Sequence, residues 1–300
     1  MNFGNVIKYG LEKQLNINIM KQESAKTFSL FLSIAFIGFL SIKYPTNPWS
    51  LLVVGLLINI ISAPISFFII DILENLTRIL LLVKTKIKYR NKYVRLSFSY
   101  LFIIKVKGKY LLVKNRNGNY YQLVGGAYKR YQSSENIFNK YKVKPDRQFE
   151  TSHGIAKSDL RFQILGRYVT NILSWFHSKE GREISQWREF CEELLTTNIL
   201  PKEEFRYIDY KYLDTLFTPL QKARNLDCQE MLIYEIFEFI PTHEQLQILE
   251  KKLDDGDSNE IKWADEIIIN AKGFNELTKK SDYQIGVHTK WAVNLKYTNE

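Results

Sequence analysis

The sequence predicts a two-helix transmembrane hairpin followed by an α+β domain built on a mixed sheet. Three observations lead there. Two apolar runs without a charge lie close together near the N-terminus, and positive charge crowds around them. From Leu96 onward the pattern changes to short strands, turns and amphipathic helices. The 300 residues are 45% hydrophobic and 25% charged, enough for about two domains. This excludes a disordered chain, a collagen and a small disulfide-stapled fold. Two cysteines alone, Cys191 and Cys228, argue against a disulfide framework and a Cys-based zinc site, and favour a reducing compartment.

Residues 1–26 are polar and too long for the leading part of a signal peptide, so they are expected as a cytoplasmic segment. Residues 27–42 form an uncharged run of 16 between Lys26 and Lys43. As a helix that run is about 24 Å long against roughly 30 Å of hydrocarbon, a shortfall that snorkelling lysines close. Residues 49–70 form a second run of 22, about 33 Å, with Pro64 as a kink. Pro45, Asn47 and Pro48 make the connection a tight turn, and Tyr44 and Trp49 suit a headgroup interface. Two buried helices of a large core are the other reading of 27–70.

Residues 1–95 carry 12 Lys/Arg against 4 Asp/Glu, whereas the remaining 205 carry 30 against 28. The basic excess flanks apolar segments, which points to a membrane surface rather than to a nucleic-acid polymer. Lys43 stands alone in the turn, while Lys8, Lys13, Lys21 and Lys26 precede it and Arg78, Lys84, Lys86, Lys88, Arg90, Lys92 and Arg95 follow. Both termini are therefore expected in the cytoplasm. Residues 71–95 are expected as a basic juxtamembrane linker, resting on anionic lipid or simply solvated.

Within residues 96–300, residues 96–104, 110–116 and 120–124 read as an antiparallel meander, with Asn117-Gly118 supplying a hairpin turn. Gly125-Gly126 ends the third strand. About 50 mixed residues follow, including Asp159-Leu160-Arg161-Phe162 and a helix over 165–176. Strands are expected over 205–216 and 230–240, and a helix over 242–253 capped by Thr242.

Placed on a helix at about 100° per residue, Glu189, Glu192 and Glu193 share an arc of about 100°. Trp187, Phe190, Cys191 and Leu194 fall on the opposite side as a core stripe. Clustered carboxylates repel one another, and a hard divalent cation, Mg²⁺ or Mn²⁺, relieves that. The face pattern alone favours a plain amphipathic helix with solvated acids; the spacing does not. Glu180, seven intervening residues, then Arg188-Glu189-Phe190-x-Glu192-Glu193 gives E-x7-R-E-U-x-E-E, where U is apolar.

This resembles the Nudix box, G-x5-E-x7-R-E-U-x-E-E-x-G-U. The leading glycine of the box falls on Ser174 and the later one on Leu195. Gly125-Gly126 is the better match to the first glycine, which makes residues from about 128 to 178 an insertion. The resemblance implies an α/β/α sandwich with a mixed sheet. It implies Mg²⁺ held by Glu189, Glu192 and Glu193, with Glu192 and Glu193 catalytic if the box is active. It also implies that Arg188 orients a carboxylate, that Glu180 supports the box from behind, and that Gly125 and Gly126 line the ligand. His153 and His243 read as surface residues. His177 borders the box, and His288 is a candidate pocket residue.

The hairpin, Gly125-Gly126, the segment 159–162, the box and the tail His288-Thr289-Lys290-Trp291 together resemble the transmembrane Nudix effectors that accompany CD-NTase synthases in CBASS anti-phage systems. That resemblance implies a multi-pass protein of the bacterial inner membrane. Its Nudix-like domain would sense a cyclic nucleotide, assemble into homo-oligomers and disrupt the bilayer. The rival class is a membrane-anchored, Mg²⁺-dependent hydrolase of a nucleoside diphosphate derivative. The third is an anchor with an inactive domain.

Overall fold

The computed structural model describes residues 83–146, 158–223, 226–275 and 279–298 without position 117, together with Phe39, Ile42, Lys43, Leu80 and Leu81. The chain divides into two units, Met1–Ile79 and Leu80–Glu300. In the first unit the Lys43 ammonium lies 5.2 Å from the centre of the Phe39 ring. Nearly all of the hairpin expected over 27–70 lies outside the described residues.

Among the described residues no helix is long and apolar enough to cross a membrane. This corrects the expected transmembrane hairpin and, with it, the inner-membrane location. The longest described helix is His243–Asp254, with 12 residues. At about 18 Å it is too short to span, and it is rich in charge. An uncharged run records what exposure to water costs a segment, and does not by itself specify one long helix.

The second unit begins with a π turn, Lys84–Lys88, in which the Thr85 hydroxyl donates to Leu81 O at 2.7 Å. Strand β1 (Tyr93–Ile103) follows and is buried along almost its whole length. Arg95, expected on a lipid surface, is 4% exposed and sits in β1 with Asp146 at 2.9 Å and Glu230 at 2.8 Å. Three buried charges that satisfy one another replace the membrane contact at this position.

Next come β2 (Lys105–Val106), β3 (Lys109–Lys114), β4 (Tyr121–Gln122) and β5 (Val124–Ala127). Helix α1 (Glu135–Lys140), β6 (Lys144–Pro145), β7 (Arg161–Leu165) and α2 (Val169–Ser178) occupy the expected insertion. Helix α3 (Trp187–Phe190) runs straight into a π turn, Cys191–Leu195. The chain then forms β8 (Asp209–Phe217), β9 (Gln221–Lys222), β10 (Gln229–Ile240) and α4 (His243–Asp254). It closes with β11 (Ile261–Ala264), α5 (Glu266–Asn270), β12 (Phe274–Asn275), β13 (Lys280–Ser281) and α6 (Val287–Val293).

The main sheet has the order β6-β7-β1-β10-β8, with β5 also on β1 and β9 on β10. Strands β1 and β10 run parallel, while β5 and β7 pair with β1 antiparallel. A second sheet has the order β11-β3-β2, with β4 on β3. The expected meander is therefore split. Strands β2 to β4 form one, but β1 stays in the main sheet. A two-residue turn, Lys107-Gly108, with φ of 47° and 83°, has the primed hairpin geometry. Strands β3 and β4 also pair antiparallel, Lys114 opposite Tyr121, so a hairpin joins them where one was expected, although Asn117 itself lies outside the described residues.

Alternation along β1 sends Leu96, Phe98, Tyr100 and Phe102 into one core and Leu101 and Ile103 into another. Helices α2 and α3 cover the first, and α5 and α6 the second. A mixed sheet with helices on both faces fits a Nudix-like domain. Phe190 fixes α3 to it, with ring centroids 5.8 Å from Phe102 and 5.6 Å from Phe239.

Candidate functional site

The site forms where α3 meets the glycine strand β5. Phe190, Leu194 and Leu195 enter the core, so the opposite side of the same turns presents the carboxylates. The π turn at Cys191–Leu195 widens the backbone where Glu192 and Glu193 project, a feature common at functional sites. Leu195, at the position of the late box glycine, is a core residue, 5% exposed. Ser174, at the leading position, lies in α2 with its hydroxyl bonded to Thr170 O.

Gly125 is required here, and Gly126 makes room for the Glu189 carboxylate where it now lies. Gly125 has φ of +149°, and a Cβ there would collide with the Tyr100 carbonyl of β1. A Cβ on Gly126 would collide with the Glu189 carboxylate. The Gly125 N–H donates to Glu193 Oε2 at 2.9 Å. The two glycines thus let the strand approach the acids directly.

Arg188 ties the acids together. Its Nε and Nη2 donate to the two Glu183 oxygens at 3.0 and 3.1 Å. Its Nη1 reaches Glu189 at 2.6 Å and Glu192 at 3.3 Å, and its Nη2 also donates to Ala127 O at 2.8 Å. Arg116 holds the Glu192 carbonyl at 2.6 Å. Burial pushes the Glu193 carboxyl up to about 8, against the opposing Gly125 N–H. Burial also raises Glu189, with Arg188 opposing.

The donor set is all carboxylate oxygen, which suits a hard cation. Burial raises both carboxyls, so a bound cation would offset the cost of ionising them. Yet Arg188 Nη1 stands between Glu189 and Glu192. Among the described residues no three His, Cys, Asp or Glu side chains converge as an ion-binding group. The chemistry of the donors fits Mg²⁺; their arrangement, with Arg188 in place, does not.

A family model of the SMODS-associated NUDIX domain matches residues 93–293. The chain belongs to the SMODS-associated NUDIX domain family. The match starts on the first residue of β1 and ends on the last of α6, so it takes in the main sheet, the second sheet and the glycine strand. No individually curated protein gives a significant match. Nudix domains generally use divalent metals such as Mg²⁺.

In this NUDIX domain Gly125, Gly126, Arg188, Glu189, Glu192 and Glu193 meet at one place, and Glu180 does not. Glu180 is exposed just after Lys179, whose φ of 59° ends α2 in a left-handed cap. Glu183 partners Arg188 instead. The fold dictates this through Arg182, which is 2% exposed and lies 3.8 Å from the Phe176 ring centre and 4.7 Å from that of Tyr128. Arg182 Nε donates to Phe176 O and Nη1 to Glu183 O, which fixes the turn. Tyr128 bonds Glu235 and accepts from Gln186 at 2.8 Å. Glu183 stood three residues off the box spacing. The only sequence signal for it was Gly181-Arg182, a turn followed by a charge next to an aromatic helix end.

His177 is exposed with its ring near Phe176, and His243 opens α4 beside Gln247. His153 lies outside the described residues. His288 lies in α6, on the other side of the sheet from the box. Both cysteines are free.

Proposed function

We propose that the chain is a cyclic-nucleotide-sensing effector of a CBASS anti-phage system and that its box serves binding before catalysis. The observation that carries this is the Arg188 tie, which holds Glu183, Glu189 and Glu192 in one ion-paired group. Catalysis requires reacting atoms held within a fraction of an ångström, whereas binding tolerates a rearranged site. The family's association with SMODS supports the CBASS link. The partners proposed with it are a cyclic nucleotide, the CD-NTase synthase that makes it, and further copies of this chain. Ligand drives their assembly only by binding the assembled form more tightly.

A second reading, a Mg²⁺-dependent hydrolase of a nucleoside diphosphate derivative, draws on Glu193. A buried acid raised to about 8 is an acid that a cation would ionise. Titration of the full chain with cyclic di-AMP, cyclic di-GMP and cyclic GMP–AMP in a calorimeter tests the sensing reading. One of them is expected to bind with a micromolar or tighter Kd, roughly −8 kcal/mol or better. Binding of none at about 1 mM refutes it.

A further inference from the structure

We propose that a half-buried cluster of three rings, Tyr120, Tyr234 and His288, on the face of the main sheet opposite the box helix, receives a nucleobase of the ligand. The assignment deepens the nucleotide-sensing reading and rests on it. Three elements converge there. Tyr234 comes from β10, Tyr120 from the turn before β4, and His288 from α6. Residues Ile233 and Phe237 of β10 face the core under the box helix, while Tyr234 and Ile236 face the other way, toward α6.

The rings form a platform. Tyr234 and His288 are nearly parallel, 9° apart in plane with centroids 5.9 Å apart. Tyr120 meets His288 edge-on, 6.3 Å away and at 77°. Gly286 lets them close up, since a Cβ there would stand 2.7 Å from His288 Cε1 and 3.0 Å from Tyr120 Cε2. Ser99, the β1 partner of Tyr234, and Ser97 share this face, and both are small and buried.

The platform is half-buried: Tyr120, Tyr234 and His288 are each neither fully buried nor fully exposed. Burial pushes the His288 imidazole down to about 4, and it pushes the Tyr234 phenol up. A neutral His288 is also not a cation for phosphate. Its Nε2 lies 3.2 Å from Gln122 Oε1, which already accepts from Asn115 Nδ2 at 2.8 Å. The proton therefore belongs on Nε2, and Nδ1 is left as an acceptor.

Charge for a phosphate stands next to the rings. Arg161 of β7 pairs with Ser97 across β1, and its cation draws the phenols of Tyr120 and Tyr234 back down against burial. Arg161 also lies 3.4 Å from Asp159, which Lys129 holds at 3.1 Å, beside the end of β5. Flat π-faces next to a guanidinium suit a base joined to a phosphodiester, because every base has a stacking face.

The test uses the full chain and the cyclic dinucleotide that it binds best among cyclic di-AMP, cyclic di-GMP and cyclic GMP–AMP. Tyr234→Leu and His288→Leu are each expected to weaken binding by about 5- to 150-fold, the range of one lost base stack, while Tyr234→Phe stays within about threefold of wild type. Ribose 5-phosphate, which has no base, should not compete. A photoreactive 8-azidoadenine analogue of cyclic di-AMP, used on the wild-type chain, provides a measurement free of folding effects. It should label peptides containing Tyr120, Tyr234 or His288. Tight binding that both leucine variants leave unchanged, or labelling confined to other peptides, overturns the base site and leaves the sensing reading standing. Failure of all three dinucleotides to bind wild type removes both.

Discussion

Glu193 makes the stability of the domain depend on pH in a direction opposite to that of most carboxylates. Its pKa rises from 4.5 to about 8 on burial. Between those values the folded state keeps a proton that the unfolded state has lost, so stability falls as pH rises through the window. It is fully present below the lower value and lost above the higher one. Each pH unit costs about 1.4 kcal/mol, so the loss at neutral pH is about 3 kcal/mol. Glu193→Gln removes the titration and keeps an amide oxygen to accept the Gly125 N–H. Urea unfolding at about pH 5 and about pH 8.5 should show the variant matching wild type in acid and exceeding it in base. In base the full shift counts, about 5 kcal/mol, so with a slope near 2 kcal/mol/M the midpoint gap should be about 2–3 M. Identical pH slopes for the two proteins, or a variant weaker in base, would refute the reasoning. Mg²⁺ bound to the ionised acid would reduce the wild-type loss in base and do nothing in acid.

Other substitutions test other joints of the fold. Gly125→Ala should cost about 2–3 kcal/mol or more, because the clash is with β1 backbone and φ is positive; a thermal melt measures it. Arg95→Ala strands Asp146 and Glu230 inside the protein and should cost about 3–5 kcal/mol by urea unfolding. Thr242→Ala removes a capping box whose Thr242 and Gln245 bond reciprocally, and should cost about 1 kcal/mol in the same assay.

Much of the domain was legible because local rules held. Thr242 capped the helix it was expected to cap, and β10 lies within one residue of its expected start. The spacing 188–193 put the box carboxylates on one helix, and Gly125-Gly126 meets them across the insertion because β5 pairs with β1 beneath that helix. What sequence could not supply was partner choice. Strand β1 looks like the first strand of a meander, yet it pairs parallel with β10, more than a hundred residues away. Arg95 reads as one more basic residue near a membrane, until Asp146 and Glu230 are placed around it. Glu183 displaced Glu180 through a left-handed cap and a buried arginine, which a spacing rule does not contain. The cluster of Tyr120, Tyr234 and His288 joins three elements distant in sequence, so no window of sequence displays it.

The central claim, that the box binds a nucleotide without turning it over, is tested most directly by product analysis. The full chain is incubated with its best-binding cyclic dinucleotide, with and without Mg²⁺, in parallel with the Glu192→Gln, Glu193→Gln double variant, and the nucleotides are separated chromatographically. Bound ligand is expected to be recovered intact under all conditions, including with Mg²⁺. Rapid multiple-turnover cleavage that requires Mg²⁺ and disappears in the double variant would contradict it and make the protein a hydrolase.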